Sequence, residues 1–424
     1  MTPEILALVI LVICIVLFIT QPIPNATTAC LGCALYALTG VCSVDKAFSG
    51  FSNSIVILVF GMMVVGVAIM DTGVAELVGS WVAKVSGGSE RLFILLAGLV
   101  SVVLSAFLSN TSVIAVFLPI IASTAKAHPK MTRKNMTLPV TMGAMFGGVC
   151  TLVGSTPQLT ADGILSEMTG HELAMFDMLM PGLILTAIYM VYVLTIGHWI
   201  GNRVWGEENP NEHVPMEDMK EKQIVVDKRK LITMLVIFVL IIVMFIGEWI
   251  PVAMTAATAA LLCIITGCTD QKTILREMDW PVLFILAGCL GLAAGLTDSG
   301  AGQLLADVLL RVIPADIAPM VVFAIFVAAT MVISNFITNS TAVVITLPIA
   351  IALCVAEGFN PIAYTLGIVY AANLTFSTPL ANAQTAMTLV AGYKFSDYFR
   401  YTSLLVVAVY IGILVAVPMF FPLV

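Results

Sequence analysis

Two short polar stretches carry the side chains best suited to chemistry. They are Ser105-x-x-x-Ser109-Asn110-Thr111 and Ser334-x-x-x-Thr338-Asn339-Ser340. Each sits in an otherwise apolar run, SAFLSNTSVIAVFLPII (105–121) and SNFITNSTAVVITLPIA (334–350), and each run holds a Leu-Pro pair near its end. Hydroxyls four residues apart fall on one helix face. With carbonyls freed at a helix break, they would offer the neutral oxygens that a hard cation such as sodium takes. A half-helix starting just after each knot would aim its amide end at the same point, and that end favours an anion. One knot could thus hold a cation and an anion side by side. A single knot is also what small polar residues easing helix packing look like. Two at matching positions point to a site near the membrane midplane.

The elements that must position these residues are membrane spans. The chain has 424 residues, 60% of them hydrophobic and 10% charged, with a mean hydropathy of +1.08. That balance predicts an all-α polytopic membrane protein. Ile5–Ile19 lacks a basic flank and a small-residue cleavage site, so it reads as a retained span rather than a signal peptide. Hydropathy places spans at roughly 3–20, 24–43, 54–83, 136–157 and 179–200, then roughly 230–247, 251–268, 281–310, 362–384 and 401–421. The interrupted segments 92–125 and 317–356 remain, one per half, and read as re-entrant hairpins. Two further breaker regions, 147–165 and 374–398, bring Gly, Ser, Thr and Pro into what would otherwise be helix. Such unwound spans supply more carbonyls and hydroxyls.

The halves repeat. Ile23-Pro24 matches Ile250-Pro251, Thr39-Gly40 matches Thr266-Gly267, Gly61 matches Gly288, and Asp71-Thr72-Gly73 matches Asp298-Ser299-Gly300, all at an offset of 227 residues. Asn110 and Asn339 match at 229. If the hairpins go in and come back, each half crosses an odd number of times, so the two repeats are inverted. Residue 1 and the C-terminus are then outside and the polar linker 202–227 is cytoplasmic. Sixteen of the eighteen basic residues fall inside, all but Lys46 and Arg311, as the positive-inside rule requires.

Other chemistry is absent from the sequence. The net charge of −7 argues against nucleic-acid binding. There is no P-loop. Cys30 and Cys33 have C-x-x-C spacing inside a span with no His or acidic partner, and read as small buried side chains. The four His are unpaired, so no catalytic metal set exists, and no nucleophile–base set suggests an enzyme. No cofactor is implied beyond sodium as coupling ion. Asp71 and Asp298 are the symmetric intramembrane acids, readable as caps at helix breaks or as proton carriers.

These residues resemble the divalent anion/sodium symporter family of the ion transporter superfamily, which moves dicarboxylates, citrate or sulfate. The resemblance covers almost the whole chain. It is carried by Ser109-Asn110-Thr111, Thr338-Asn339-Ser340, Gly154-Ser155-Thr156-Pro157-Gln158 and Gly392-Tyr393-Lys394-Phe395-Ser396-Asp397. It implies one sodium site from Ser105, Ser109, Asn110 and Gly154, and a second from Ser334, Ile337, Asn339 and Ala381. It implies substrate contacts from Asn110, Thr111, Ser155, Asn339, Ser340 and Asn382, and a homodimer working as an elevator. Scaffold would be 1–88 and 228–315, and transport domain 89–201 and 316–424. The stretches 73–88 and 300–316 would be interfacial arms or the ends of long tilted spans. The chain departs from the family at Asn382-Ala383-Gln384-Thr385, where the family has Thr-Pro-Pro-Asn, and at Gln158, where it has Asn. These larger amides and lost prolines predict a reshaped second side of the pocket.

The function implied is sodium-coupled symport of a small divalent anion, most simply a di- or tricarboxylate, across the cell inner membrane. The alternatives are a sodium-independent anion exchanger, or a sodium/proton antiporter or sulfate or metalloid permease of the same superfamily.

Overall fold

A computed structural model describes residues 2–128, 131–205, 227–247, 249–304, 318–379 and 382–424. Most of the linker 202–227 and of the stretch 300–316 lies outside the described residues, and so does Ala381. The described residues are helical with no strand. The first half runs α1 (Pro3–Thr20), α2 (Asn25–Leu38), α3 (Ser54–Asp71), α4 (Val74–Ser86), α5 (Glu90–Ser105), α6 (Asn110–Ala127), α7 (Arg133–Gly148), α8 (Thr156–Thr169) and α9 (Leu179–Trp205). The second runs α10 (Lys228–Gly247), α11 (Val252–Ile265), α12 (Trp280–Asp298), α13 (Pro319–Ser334), α14 (Asn339–Glu357), α15 (Pro361–Asn373) and α16 (Phe395–Phe420).

Among the described residues, eight helices are long and apolar enough to cross a bilayer, and the second limbs α6 and α14 of the two interrupted segments are among them. α2 and α11 have 14 residues each, about 21 Å of helix against a hydrocarbon core of about 30 Å. Both start just after a proline and end before a left-handed glycine, Gly40 at φ 73° and Gly267 at φ 71°. The expected spans 24–43 and 251–268 are therefore shorter helices closed by turns.

The expected span 54–83 is two helices. α3 ends at Asp71, and Gly73 takes φ 76° before α4 starts. Gly300 repeats that conformation after α12. A left-handed residue closes a helix at low cost only when it is glycine. The glycines therefore make these breaks, and Asp71 and Asp298 are last helical residues rather than caps. Asp71 instead accepts a hydrogen bond from the Thr269 hydroxyl at 3.1 Å.

The halves lock together by an exchanged contact. α3 packs on α11, and α12 packs on α2. A Cβ on Gly61 would come within 2.5 Å of the Ala256 carbonyl carbon, and one on Gly288 within 2.6 Å of the Ala29 Cβ. Ala29 and Ala256 are themselves 227 residues apart. Removing either glycine's lack of a side chain would push these backbones apart. Elsewhere α5 packs on α7, α13 and α14 pack on α15, and α9 packs on α16. Buried tyrosines tie helix to helix through their hydroxyls, Tyr189 to the Pro139 carbonyl at 2.7 Å and Tyr370 to the Met178 carbonyl at 2.6 Å. Each thereby buries a large ring without stranding its polar tip.

Candidate functional site

Each polar knot is a helix–turn–helix tip. α5 ends at Ser105 and α6 begins at Asn110, with Ser109 as N-cap accepting the Ser112 N–H at 3.2 Å. α13 ends at Ser334 and α14 begins at Asn339 after Thr338. The Ser105/Ser109 and Ser334/Thr338 pairs therefore do not share a helix face, as their spacing suggested, because the chain turns between them. Ser105 and Ser334 lie fully buried behind the tips. The Ser105 hydroxyl donates to Asn110 Oδ1 at 2.6 Å, and the Ser334 hydroxyl to Asn339 Oδ1 at 3.0 Å.

That pairing fixes which way each amide faces. With Oδ1 turned back to a serine, the –NH2 of Asn110 and of Asn339 meets no acceptor among the described residues. An amide presents two donors and one oxygen, so both tips present donors. Gly148 makes room for the first, since a Cβ there would fall 2.3 Å from Asn110 Oδ1. Its counterpart Thr375 instead puts a hydroxyl 3.4 Å from Asn339 Oδ1.

The breaker regions supply two more helix starts. α7 stops at Gly148 and α8 starts at Thr156 with Ser155 as N-cap, φ −154° and ψ 160°. α15 stops at Asn373, and the short helix Ala383–Met387 starts after Asn382, φ −154° and ψ 158°. The two N-caps are 227 residues apart and share one conformation. The tie behind each has moved. In the first half Gln158, three residues after the N-cap, reaches back to the Gly148 carbonyl. In the second, Asn382 itself donates to the matching Thr375 carbonyl at 2.8 Å. Gln158 is fully buried and stands behind the wall, so it does not reshape the pocket as its size suggested.

A single cavity of about 1170 Å³ takes in both tips and both breaks. All six expected substrate contacts, Asn110, Thr111, Ser155, Asn339, Ser340 and Asn382, line it, as do Ser109 and Gly154. Of the remaining expected sodium ligands, Ser105, Ser334 and Ile337 are buried just behind the lining, and Ala381 lies outside the described residues. Asn373 and Gln384 also line the cavity and were not expected. Asn373 sits in the apolar run YAANLTF, and the residue 227 positions earlier is Phe146, so the repeat gave no signal for it. Among the described lining residues there is no Lys, Arg or His. The charged ones are Asp71, Glu277 and Asp279. Burial pushes the Asp279 carboxyl above the usual carboxylate range. The far wall is apolar and rich in methionine, with Met62, Met63, Met70 and Met278, side chains that adapt to shape.

Comparison with known proteins decides the family. The citrate transporter (CitMHS) family model matches residues 15–335. The chain belongs to that family. A sodium-dependent dicarboxylate transporter of Staphylococcus aureus is 24% identical over 88% of this chain and 78% of its own length. An uncharacterized transporter of Synechocystis is 20% identical over 93% of each chain. Among solved structures, the YdaH transporter of Alcanivorax borkumensis shares the fold at a TM-score of 0.66 and 13% identity, covering 99% of this chain and 98% of that one. This CitMHS protein is thus a secondary transporter in a multi-pass, all-helical membrane fold and not an enzyme, and the expected kinship with the divalent anion/sodium symporters stands.

Proposed function

We propose that this chain is a sodium-coupled symporter of a small divalent anion, most simply a di- or tricarboxylate. The observation that carries this is the convergence of four helix N-termini and two donor amides on one cavity with no cationic side chain. A helix N-terminus contributes about 0.3–1 kcal/mol to binding an anion, so four give a few kcal/mol. Desolvating each carboxylate costs several kcal/mol. The deficit is what a co-bound cation supplies, since opposite charges 4 Å apart attract by about 4 kcal/mol at an effective dielectric of 20. Neutral oxygens at the tips are the ligands for such an ion. The substrate therefore binds well only with sodium, which is coupling. The name of the S. aureus relative supports the same reading.

Transport follows from inverted repeats. The exchanged α3–α11 and α12–α2 contacts and the basic-residue asymmetry support them. The cavity is lined by the ends of α3 and α12 nearest Lys84 and Arg276, the side assigned to the cytoplasm, so the molecule faces inward. We assign 1–88 and 228–315 to a scaffold, and 89–201 and 316–424 to a moving domain that carries the tips past it. We further assign homodimerisation through the scaffold and a cell inner membrane with both termini outside.

The mutational test is Asn110→Ala and Asn339→Ala in proteoliposomes. Each should cut sodium-driven succinate uptake at least tenfold, the cost of about one charge-assisted hydrogen bond, with thermal stability held. Wild-type uptake by both variants would remove the site assignment.

A further inference from the structure

Behind the N-cap of α8, three side-chain oxygens crowd together at the meeting of the two halves. The Ser155 hydroxyl lies 2.8 Å from Asn373 Oδ1 and abuts Gln158 Oε1. Both amides are fixed in orientation from behind. Gln158 Nε2 faces the Gly148 and Thr151 carbonyls. Asn373 Nδ2 faces the Val369 carbonyl at 3.0 Å and Gln158 Oε1 at 3.4 Å. Flipping either amide would set its oxygen against a backbone carbonyl oxygen, which cannot donate. Two amide oxygens therefore face one hydroxyl that owns one proton. Whichever takes it, the other meets Ser155 Oγ with no hydrogen between. Gln158 is fully buried and Asn373 is 3% exposed, so water does not dilute the shortage. Buried oxygens are normally matched by donors.

We infer that Ser155, Gln158 and Asn373 form a cation position between the two halves, and that a sodium-sized ion there reverses the Ser155 hydroxyl. This rests on the sodium-coupled reading above and deepens it. Without the ion, the Ser155 proton is held by the amide oxygens, and a lone pair faces the cavity and repels a carboxylate. With the ion, the three oxygens spread to face it, as hard-cation ligands do. The hydroxyl proton must then leave the cation and turn to the cavity, where it donates to the carboxylate. One rotor thus reads the ion and reports it to the anion, from a point distinct from the Asn110 and Asn339 tips.

The test uses the full-length purified protein. The first readout is stabilisation against thermal unfolding by sodium, with choline in replacement and no substrate. The second is the sodium dependence of the KM for radiolabelled succinate in proteoliposomes. Asn373→Leu should raise the sodium concentration for half-maximal effect about tenfold, a typical loss for one oxygen facing a charge. Asn373→Asp keeps an oxygen there and should restore it to wild type or tighter. Ser155→Ala should leave KM high and flatten its response to sodium. Wild-type sodium dependence in both Asn373→Leu and Ser155→Ala, with uptake still lost in Asn110→Ala, would overturn the cation position and leave the symporter reading standing. Asn373→Asp failing as badly as Asn373→Leu would make the residue merely structural. A wild type blind to sodium in both readouts would overturn both readings.

Discussion

At the scale of single residues, function rests on which way a few amides and hydroxyls face. Ser105 and Ser334 decide that for Asn110 and Asn339. The knots were legible in the sequence because polar residues in apolar runs are conspicuous, and because the pattern occurs twice. The role of Ser105 was not legible, since four-residue spacing reads as one helix face and only the fold shows a turn there. Gln158 was misjudged for a similar reason. Its size is visible in the sequence, but its partner, the Gly148 carbonyl, is set by the break between α7 and α8. The acids at the cavity mouth permit a prediction of their own. Asp279→Asn removes a negative charge from the path of a dianion, so succinate KM should fall about two- to threefold at low salt. The gain should fade as ionic strength rises above about 0.15 M. A KM ratio that ignores salt would show that Asp279 acts through structure.

At the scale of elements, the site depends on where helices stop. The repeats made the breaks near 72, 109, 338 and 155 readable, because Gly, Ser, Thr and Pro stand at matched positions. The split of 54–83 was not readable, since an apolar run continues across Thr72-Gly73 and only Gly73's left-handed backbone ends it. Gly148 shows the same economy, because it ends α7 and leaves the space that Asn110 fills. Gly148→Ala should displace the Asn110 amide and reduce uptake at least tenfold. Gly66→Ala, where the nearest atom to a new Cβ is 3.9 Å away, should transport normally. Equal uptake by the two variants would separate the Asn110 packing from function. The packing of α3 on α11 sets a matching stability test. Gly61→Val should lower the melting temperature by several degrees, because overpacking costs about 1–3 kcal/mol.

At the scale of the whole molecule, the two halves do one job from opposite sides. Lys46 before α3 and Glu167 in α8 form an ion pair at 3.0 Å, joining the proposed scaffold to the proposed moving domain. The Glu167 carboxylate, by hydrogen bond and then by charge, holds the Lys46 ammonium above its ordinary pKa. A lysine raised in this way keeps its contribution below the unfolded value near 10.4 and loses it only as pH climbs through the folded one. Lys46→Ala should therefore shift activity by the same factor at every pH from about 6 to 9. The topology makes a sharper claim. Val424 and Lys228 are both exposed, and the cysteines among the described residues are buried save half-buried Cys30. An impermeant thiol reagent should label Val424→Cys in intact cells, and Lys228→Cys only after permeabilisation. Labelling of both from one side would break the inverted arrangement. The central claim is that one cavity binds sodium and a small divalent anion together. Its most direct test is uptake of radiolabelled succinate into proteoliposomes under an inward sodium gradient, against potassium in its place, with unlabelled citrate, malate and sulfate as competitors. Uptake that requires sodium and yields to at least one competitor is the predicted result. Uptake indifferent to sodium and rising with internal dicarboxylate would contradict it and make the protein an exchanger.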